Sequence, residues 1–330
     1  MADFLLLILM VVFGIVLLLA GGDLLVRGAT ALARRLGVPA LVIGLTVVAF
    51  GTSAPEMVVS VAAAIQGAPG LAYGNIVGSN IANILLVLGI PAILAPLVTR
   101  APGVRTNTAI ALVLTIVFIA MGLDGEFGLR EGWVLFGAIL VYTIWLGYSA
   151  SRPKAVADPL LSEMTDVDSM EGLPRSAGMV ALFTIGGLVL LPLGAHFVVS
   201  GGGELARQMG VSEAVIGLTL LAVGTSLPEL STALIAALRK QAAMAFGNII
   251  GSNIFNICAV GGITGIAAHM AGASSVVDDT FLRLDFWVMG AAMLIGAAFV
   301  FAKRPIGRAS GVILSVCYAA YIAALLATNL

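Results

Sequence analysis

The chain alternates between long apolar stretches and short polar connections over nearly its whole length. A helix needs about 20 apolar residues to cross the hydrocarbon core of a bilayer. The pattern predicts ten membrane-spanning helices, at residues 4–32, 38–65, 71–97, 107–123, 131–150, 176–206, 212–238, 242–270, 282–301 and 307–328. The longest polar connection, at about 151–175, falls in the middle of the chain and predicts a solvated linker.

The composition agrees with a membrane protein and narrows its class. Of 330 residues, 60% are hydrophobic and 10% are charged, with a mean hydropathy of +1.13, whereas a soluble domain carries about 25% charged residues. A net charge of −1 without a basic stripe argues against a nucleic-acid-binding protein. Cys258 and Cys317 lie in separate apolar stretches, so neither a disulfide framework nor a zinc site is supported.

The positions of the basic residues predict the orientation of the chain. If the N-terminus lies outside the cytoplasm, 13 of the 16 lysines and arginines fall in or beside inside loops, leaving only Arg130, Arg207 and Arg283 outside. Cytoplasmic loops carry such an excess of positive charge. We therefore expect a multi-pass protein of the inner (plasma) membrane with both termini outside the cytoplasm and the central linker inside.

The two halves of the chain repeat each other. Residues 44–56 read GLTVVAFGTSAPE and residues 217–229 read GLTLLAVGTSLPE, while 74–83 read GNIVGSNIAN and 247–256 read GNIIGSNIFN. Both blocks are offset by 173 positions, from Gly51 to Gly224 and from Asn83 to Asn256. Each half has five predicted spans, an odd number, so the second must cross the membrane in the opposite sense. This predicts two inverted repeats, 1–150 and 176–330, joined by the linker 151–175, an architecture found in transporters and in some channels.

Each repeat places a glutamate inside an apolar span, Glu56 in the first and Glu229 in the second. A carboxylate at that depth costs several kcal/mol without a partner, and neither block contains a lysine or arginine. A bound cation would compensate the charge; a protonated glutamate that aids helix packing is the alternative. Pro55 and Pro228 lack an N–H, so we expect a broken or kinked helix beside each glutamate.

The second block of each repeat adds a polar stripe. Its members recur every four residues and so share one helix face: Asn75, Ser79 and Asn83, then Asn248, Ser252 and Asn256. Asn80 and Asn253 lie off the stripe and are expected to bond neighbouring backbone. The glycines also match the GxxxG packing pattern, but packing leaves the stripe unexplained. These oxygen donors suit Ca²⁺ and Na⁺.

The paired blocks resemble the two alpha-repeats of the calcium/cation antiporter superfamily, most closely those of prokaryotic sodium/calcium exchangers. The resemblance implies an all-α membrane fold of ten transmembrane helices in two inverted-topology repeats of five, with the second, third, seventh and eighth helices at the centre. It assigns ion ligation to the backbone carbonyls of Ala49 and Ala222 and to the side chains of Thr52, Ser53, Glu56, Ser79, Asn83, Thr225, Ser226, Glu229, Ser252 and Asn256. Several family members carry aspartate at the position of Asn256, so this chain has two acidic ligands instead of three.

The resemblance further implies a secondary antiporter that exchanges Na⁺ for Ca²⁺ by alternating access, with spans one and six sliding against the core and Ca²⁺ leaving the cell. Ca²⁺ and Na⁺ are then substrates, and neither a cofactor nor a protein partner is expected. A proton-coupled or potassium-dependent calcium exchanger remains open, as does a passive cation channel. An enzyme is not expected, because no HExxH motif is present and His196 and His269 lie far apart near predicted span ends.

Overall fold

The computed structural model describes residues 2–151, 172–211, 222–274, 276 and 281–329, which are helical apart from short connections. Its helices are α1 (Ala2–Leu36), α2 (Ala40–Ile43), α3 (Ala49–Thr52), α4 (Ala54–Ile65), α5 (Pro69–Ala82), α6 (Gly89–Leu94), α7 (Val104–Gly122), α8 (Leu129–Ser151), α9 (Ala177–Gln208), α10 (Ala222–Gly224), α11 (Leu227–Leu238), α12 (Ala242–Phe255), α13 (Gly261–Met270), α14 (Phe286–Phe301) and α15 (Arg308–Asn329). π-Helical turns occur at Gly44–Val48, Asn83–Val87, Asn256–Val260 and Phe281–Asp285.

Nine of the ten predicted spans are found among the described residues. Eight are continuous apolar helices, and the ninth is a bent pair that joins Ala40–Thr52 to Ala54–Ile65. The remaining prediction, 212–238, begins on residues 212–221, which lie outside the described residues, as do 152–171 of the linker. The described part of that span contains α11. The first helix extends to Leu36, beyond the predicted end at residue 32, because its charged last turn can reach the membrane surface.

The predicted break beside the first glutamate is confirmed. The second span bends by 43° between α3 and α4, and Ser53 at the bend has φ −84° and ψ 2°, outside the helical range. Pro55 in the first turn of α4 has no N–H to continue the helical ladder. Ser226 has nearly the same dihedral angles, φ −86° and ψ 1°, just before α11. The equivalent glutamates therefore follow equivalent breaks.

Burial separates a central group of helices from a peripheral pair. In the most apolar 18 residues of the spans Pro69–Leu94 and Ala242–Met270, 83% and 89% of the residues are buried, compared with 17% in α1. α1 and α9 pack along each other through glycines, so closely that a Cβ atom on Gly14 or on Gly187 would lie 2.7 Å from a carbonyl oxygen of the facing helix. The polar stripes thus lie in the middle of the molecule, and the glycine-rich pair lies outside them.

Candidate ion-binding site

Two glutamates occupy matching positions at the centre of the fold. Glu56 and Glu229 lie in the first turns of α4 and α11, directly after the breaks at Ser53 and Ser226. Both side chains are fully buried, with 0% exposure. The N-terminal end of a helix favours a nearby negative charge because its backbone N–H groups point outward. The helix breaks therefore place each carboxylate where a helix end helps to stabilise it.

These local interactions leave much of the negative charge uncompensated. One oxygen of Glu229, Oε1, accepts hydrogen bonds from the hydroxyls of Ser53 at 3.2 Å and Ser252 at 3.5 Å. Within the described residues, neither Oε2 of Glu229 nor either carboxylate oxygen of Glu56 has a hydrogen-bond partner. A buried charge without a partner is strongly unfavourable, so this pair is suited to a cation.

Threonines and asparagines tie the two repeats together around the glutamates. The Thr52 hydroxyl donates to Oδ1 of Asn248 at 3.2 Å, and the Thr225 hydroxyl donates to Oδ1 of Asn75 at the same distance. The amide groups of Asn75 and Asn248 donate in turn to the backbone carbonyls of Glu56, at 3.1 Å, and Glu229, at 3.5 Å. Each asparagine thus links the glutamate of its own repeat to the threonine of the other.

The remaining members of the stripes differ in their partners. Ser252 bonds Glu229, whereas the hydroxyl of Ser79 donates to the Asn75 carbonyl of its own helix. Asn83 donates to Oδ1 of Asn253 at 3.0 Å across the repeat boundary. Asn256 is fully buried, and neither of its side-chain polar atoms has a partner among the described residues. Its amide oxygen is therefore available to an ion or to water.

The two alanines at the helix breaks contribute only backbone. The carbonyl of Ala49 accepts the Ser53 N–H at 3.0 Å and lies 3.5 Å from the Thr52 hydroxyl. A carbonyl oxygen has two lone pairs, so these contacts do not by themselves prevent it from ligating an ion. Ala222 begins α10, directly after the residues that the structure does not describe.

The structure adds two features to the sequence prediction. Asn75 and Asn248 belong to the stripes but not to the predicted ligands, and here they position both glutamates; their four-residue spacing was the signal. The π-helical turns that begin at Asn83 and Asn256 are the second feature. Such turns are frequent at functional sites, but no residue pattern distinguishes them from ordinary helix. Asn80 donates to the backbone carbonyl of Ile76 as expected. For Asn253 the expectation was wrong, because its amide group donates to the backbone carbonyl of Asn80 in the other repeat, at 3.5 Å.

The donor set favours a hard cation. Carboxylate, hydroxyl and amide oxygens line the site, and the described residues include no group of three or more His, Cys, Asp or Glu side chains that could hold a metal. Soft transition metals prefer thiolate and imidazole ligands, whereas Ca²⁺ takes six to eight oxygens in flexible geometry. The types of donor at this site therefore suit a hard cation such as Ca²⁺ or Na⁺.

A comparison with known protein families shows to which family a chain with this site belongs. The model of the sodium/calcium exchanger protein family matches residues 6–148 and 179–327. The chain belongs to this family. As a member, it is a multi-pass membrane protein of the cation/calcium antiporter type and is not an enzyme. The two matched ranges include both glutamates and both stripes and leave out the whole linker.

Individual relatives and a solved structure agree with the family match. The chain is 32% identical to the sodium/calcium exchanger MaX1 of Methanosarcina acetivorans, over 96% of this chain and 97% of the relative. It is 34% identical to the inner membrane protein YrbG of Escherichia coli (strain K12), over 96% and 95%. It superposes on the sodium-calcium exchanger NCX_Mj with a TM-score of 0.80 and 31% identity, covering 97% of this chain and 99% of that one. The expected exchanger fold is therefore confirmed.

Proposed function

We propose that the chain exchanges Na⁺ for Ca²⁺ by alternating access and that it carries Ca²⁺ out of the cell. The observation that supports this most directly is the pair Glu56 and Glu229. Each is fully buried, each comes from a different repeat, and three of their four carboxylate oxygens lack a hydrogen-bond partner within the described residues. One Ca²⁺ would balance both charges, and Na⁺ ions could use the same oxygens. Because the two kinds of ion need the same ligands, binding of one displaces the other.

The proposed ion ligands are the set predicted from the sequence: the carbonyls of Ala49 and Ala222 and the side chains of Thr52, Ser53, Glu56, Ser79, Asn83, Thr225, Ser226, Glu229, Ser252 and Asn256. We further propose that 1–150 and 176–330 act as the two inverted repeats, with 151–175 as a cytoplasmic linker and both termini outside. The hydrogen bonds from Thr52 to Asn248 and from Thr225 to Asn75 support this division, because each has its counterpart 173 positions away in the other repeat.

An ion pair joins α1 to the end of α11 on one side of the molecule. Arg239 donates from Nε to Oδ1 of Asp23 at 2.6 Å, and its Nη2 contacts the same oxygen. Ser231 of α11 also donates to the carbonyl of Leu18 in α1 at 2.6 Å. In the proposed orientation, Arg239 lies on the cytoplasmic side. These contacts would hold the outer helix pair against the core and close that side of the site.

The positions that the repeat relates to these residues lack the same contacts. At the offset of 173, His196 corresponds to Asp23, Gln66 to Arg239 and Val58 to Ser231. Val58 is 69% exposed, whereas Ser231 is 6% exposed. The two sides of the molecule therefore differ although the repeats are alike. We take this difference to reflect a state closed towards the cytoplasm, from which sliding of α1 and α9 would open the other access route.

Uptake of radioactive Ca²⁺ into proteoliposomes tests the proposed function. An outward Na⁺ gradient should drive uptake, with no requirement for K⁺ and no uptake when the gradient is absent. Uptake that follows a pH gradient instead would assign proton/calcium exchange to the same glutamates. Ca²⁺ entry without any counter-ion would indicate a channel. Absence of Ca²⁺ transport under all of these gradients would refute the proposal.

A further inference from the structure

Five basic side chains form an exposed cluster at one corner of the molecule. They lie in two connections, one between α6 and α7 and the other between α14 and α15, or in the first turn of the helix that follows, and all five are exposed. We name them the basic corner: Arg100, Arg105, Lys303, Arg304 and Arg308. Neither connection contains an acidic residue between positions 93 and 107 or between 301 and 309. The corner therefore has a concentrated positive charge that the neighbouring chain does not offset.

The fold holds these two connections together although they are about 200 positions apart in the sequence. Leu97 and Ile306 form an antiparallel bridge, with N–H to carbonyl distances of 2.9 and 3.0 Å. Arg100 Nε donates to the carbonyl of Lys303 at 3.1 Å, and Arg308 Nε donates to the carbonyl of Ile93 at 3.3 Å. Only Nε of each guanidinium makes these bonds, and both side chains are exposed, so their Nη groups can still donate to another acceptor.

Within the described residues, none of the five side chains forms an ion pair with a carboxylate. The guanidinium of Arg105 instead lies 5.5 Å from the ring centre of Phe301, an exposed aromatic residue at the end of α14. The basic corner also joins the ends of apolar helices that are long enough to cross a bilayer, α7, α14 and α15. The ends of such helices lie near a membrane surface, where the lipid headgroups are.

The opposite end of the molecule has the corresponding bridge without the positive charge. There, Glu126 pairs with Val276, and the connection between α7 and α8 carries Asp124 and Glu126, with Glu131 in the first turn of α8. Arg130 is the single basic residue between positions 123 and 131. The architecture is repeated at the two ends, but the charge is reversed. Positive charge is therefore not needed to make this type of corner.

We propose that the basic corner binds the headgroup of an anionic phospholipid in the cytoplasmic leaflet. The planar guanidinium group of arginine can donate two parallel hydrogen bonds to the oxygens of one phosphate group. Clusters of basic residues beside membrane helices also attract anionic headgroups. The two connections converge from different repeats, so one bound headgroup would join the spans around α6 to α14 and α15. This inference rests on the proposed orientation for the choice of leaflet and does not depend on which ions are exchanged.

The test measures lipid binding to the delipidated full-length protein by native mass spectrometry, with phosphatidylglycerol and phosphatidylcholine as probes. The wild type should bind phosphatidylglycerol more tightly than phosphatidylcholine. The variant Arg100→Gln/Arg304→Gln/Arg308→Gln should lose about 100-fold in affinity for phosphatidylglycerol, at roughly five-fold per basic residue near an anionic surface. Its affinity for phosphatidylcholine should be unchanged.

A matched control neutralises the three basic residues expected on the other side, as Arg130→Gln/Arg207→Gln/Arg283→Gln. This control should keep the affinity of the wild type for phosphatidylglycerol. Equal loss in both triple variants would overturn the proposal, because it would reflect total charge alone. Unchanged binding in the first variant, or complete competition by millimolar inorganic phosphate, would also overturn it. Gel filtration verifies that each variant is folded before binding is measured.

Discussion

Replacing Glu229 by glutamine tests the proposed site with the smallest possible change. The substitution removes one negative charge and keeps nearly the same shape. Glu229 is fully buried, and its Oε1 already accepts the hydroxyls of Ser53 and Ser252. A bound cation would therefore lose one of the two formal charges that face it. No change in the packing of the surrounding helices is expected.

The expected loss of Ca²⁺ affinity can be worked out from the burial of this charge. Removing one partner of a buried, charged pair typically costs about 3–5 kcal/mol, which is between about 100-fold and 5,000-fold in affinity. A Ca²⁺ concentration of about 100 times the dissociation constant stabilises the folded protein by about 2.7 kcal/mol. If the affinity falls 100-fold, the same concentration stabilises the variant by only about 0.4 kcal/mol.

Two assays measure this effect independently. Thermal unfolding in detergent, with Ca²⁺ and with a chelator, should show a Ca²⁺-dependent shift in the wild type that nearly vanishes in the variant. With chelator alone, the variant should be at least as stable as the wild type, because it no longer buries that charge. Na⁺-driven Ca²⁺ uptake into proteoliposomes should be nearly abolished.

Asp285→Asn provides the matched control. Asp285 is also a buried carboxylate, but it accepts the Tyr321 hydroxyl at 2.7 Å, outside the proposed site. This variant should retain the Ca²⁺-dependent shift even if its overall stability falls. If Glu229→Gln kept the full shift and the full transport rate, the charge of Glu229 would not be needed, and the proposed site would be wrong.

Three further predictions follow from other parts of the structure. Asn256→Asp adds a third carboxylate, so the relative affinities for Na⁺ and Ca²⁺ in binding assays should change while expression does not; unchanged ion preference would remove Asn256 from the site. Asp23→Arg should increase hydrogen–deuterium exchange in α11 because it breaks the ion pair with Arg239, and adding Arg239→Asp should reverse the increase. If the double variant is not rescued, the ion pair does not hold α1 against α11. Gly187→Val places a side chain against the backbone of α1 and should lower the unfolding free energy by about 1–3 kcal/mol. Gly178 has open space around it, so Gly178→Ala should leave the unfolding free energy unchanged. Equal effects of the two substitutions would contradict the close packing of α1 against α9.

Several features could be predicted from the sequence because they depend on local chemistry. A backbone in hydrocarbon must satisfy its own hydrogen bonds, so long apolar stretches predicted the helices. Pro55 cannot donate to the helical ladder, so its position predicted the bend that the structure places at Ser53. The repeated blocks by themselves indicate that Glu56 and Glu229 hold equivalent positions. The family resemblance rested on the same blocks and was confirmed.

Only the tertiary structure decided which buried polar groups have partners. The contacts from Thr52 to Asn248 and from Asn83 to Asn253 join residues of different repeats, and no local spacing specifies such pairs. The π-helical turns and the ion pair between Asp23 and Arg239 likewise depend on how the helices pack. A hydrogen bond needs its atoms within about 3 Å, and that distance is set by the packing of entire helices. The sequence could therefore predict the polar residues of the site, whereas the partners of their atoms became known only from the folded chain.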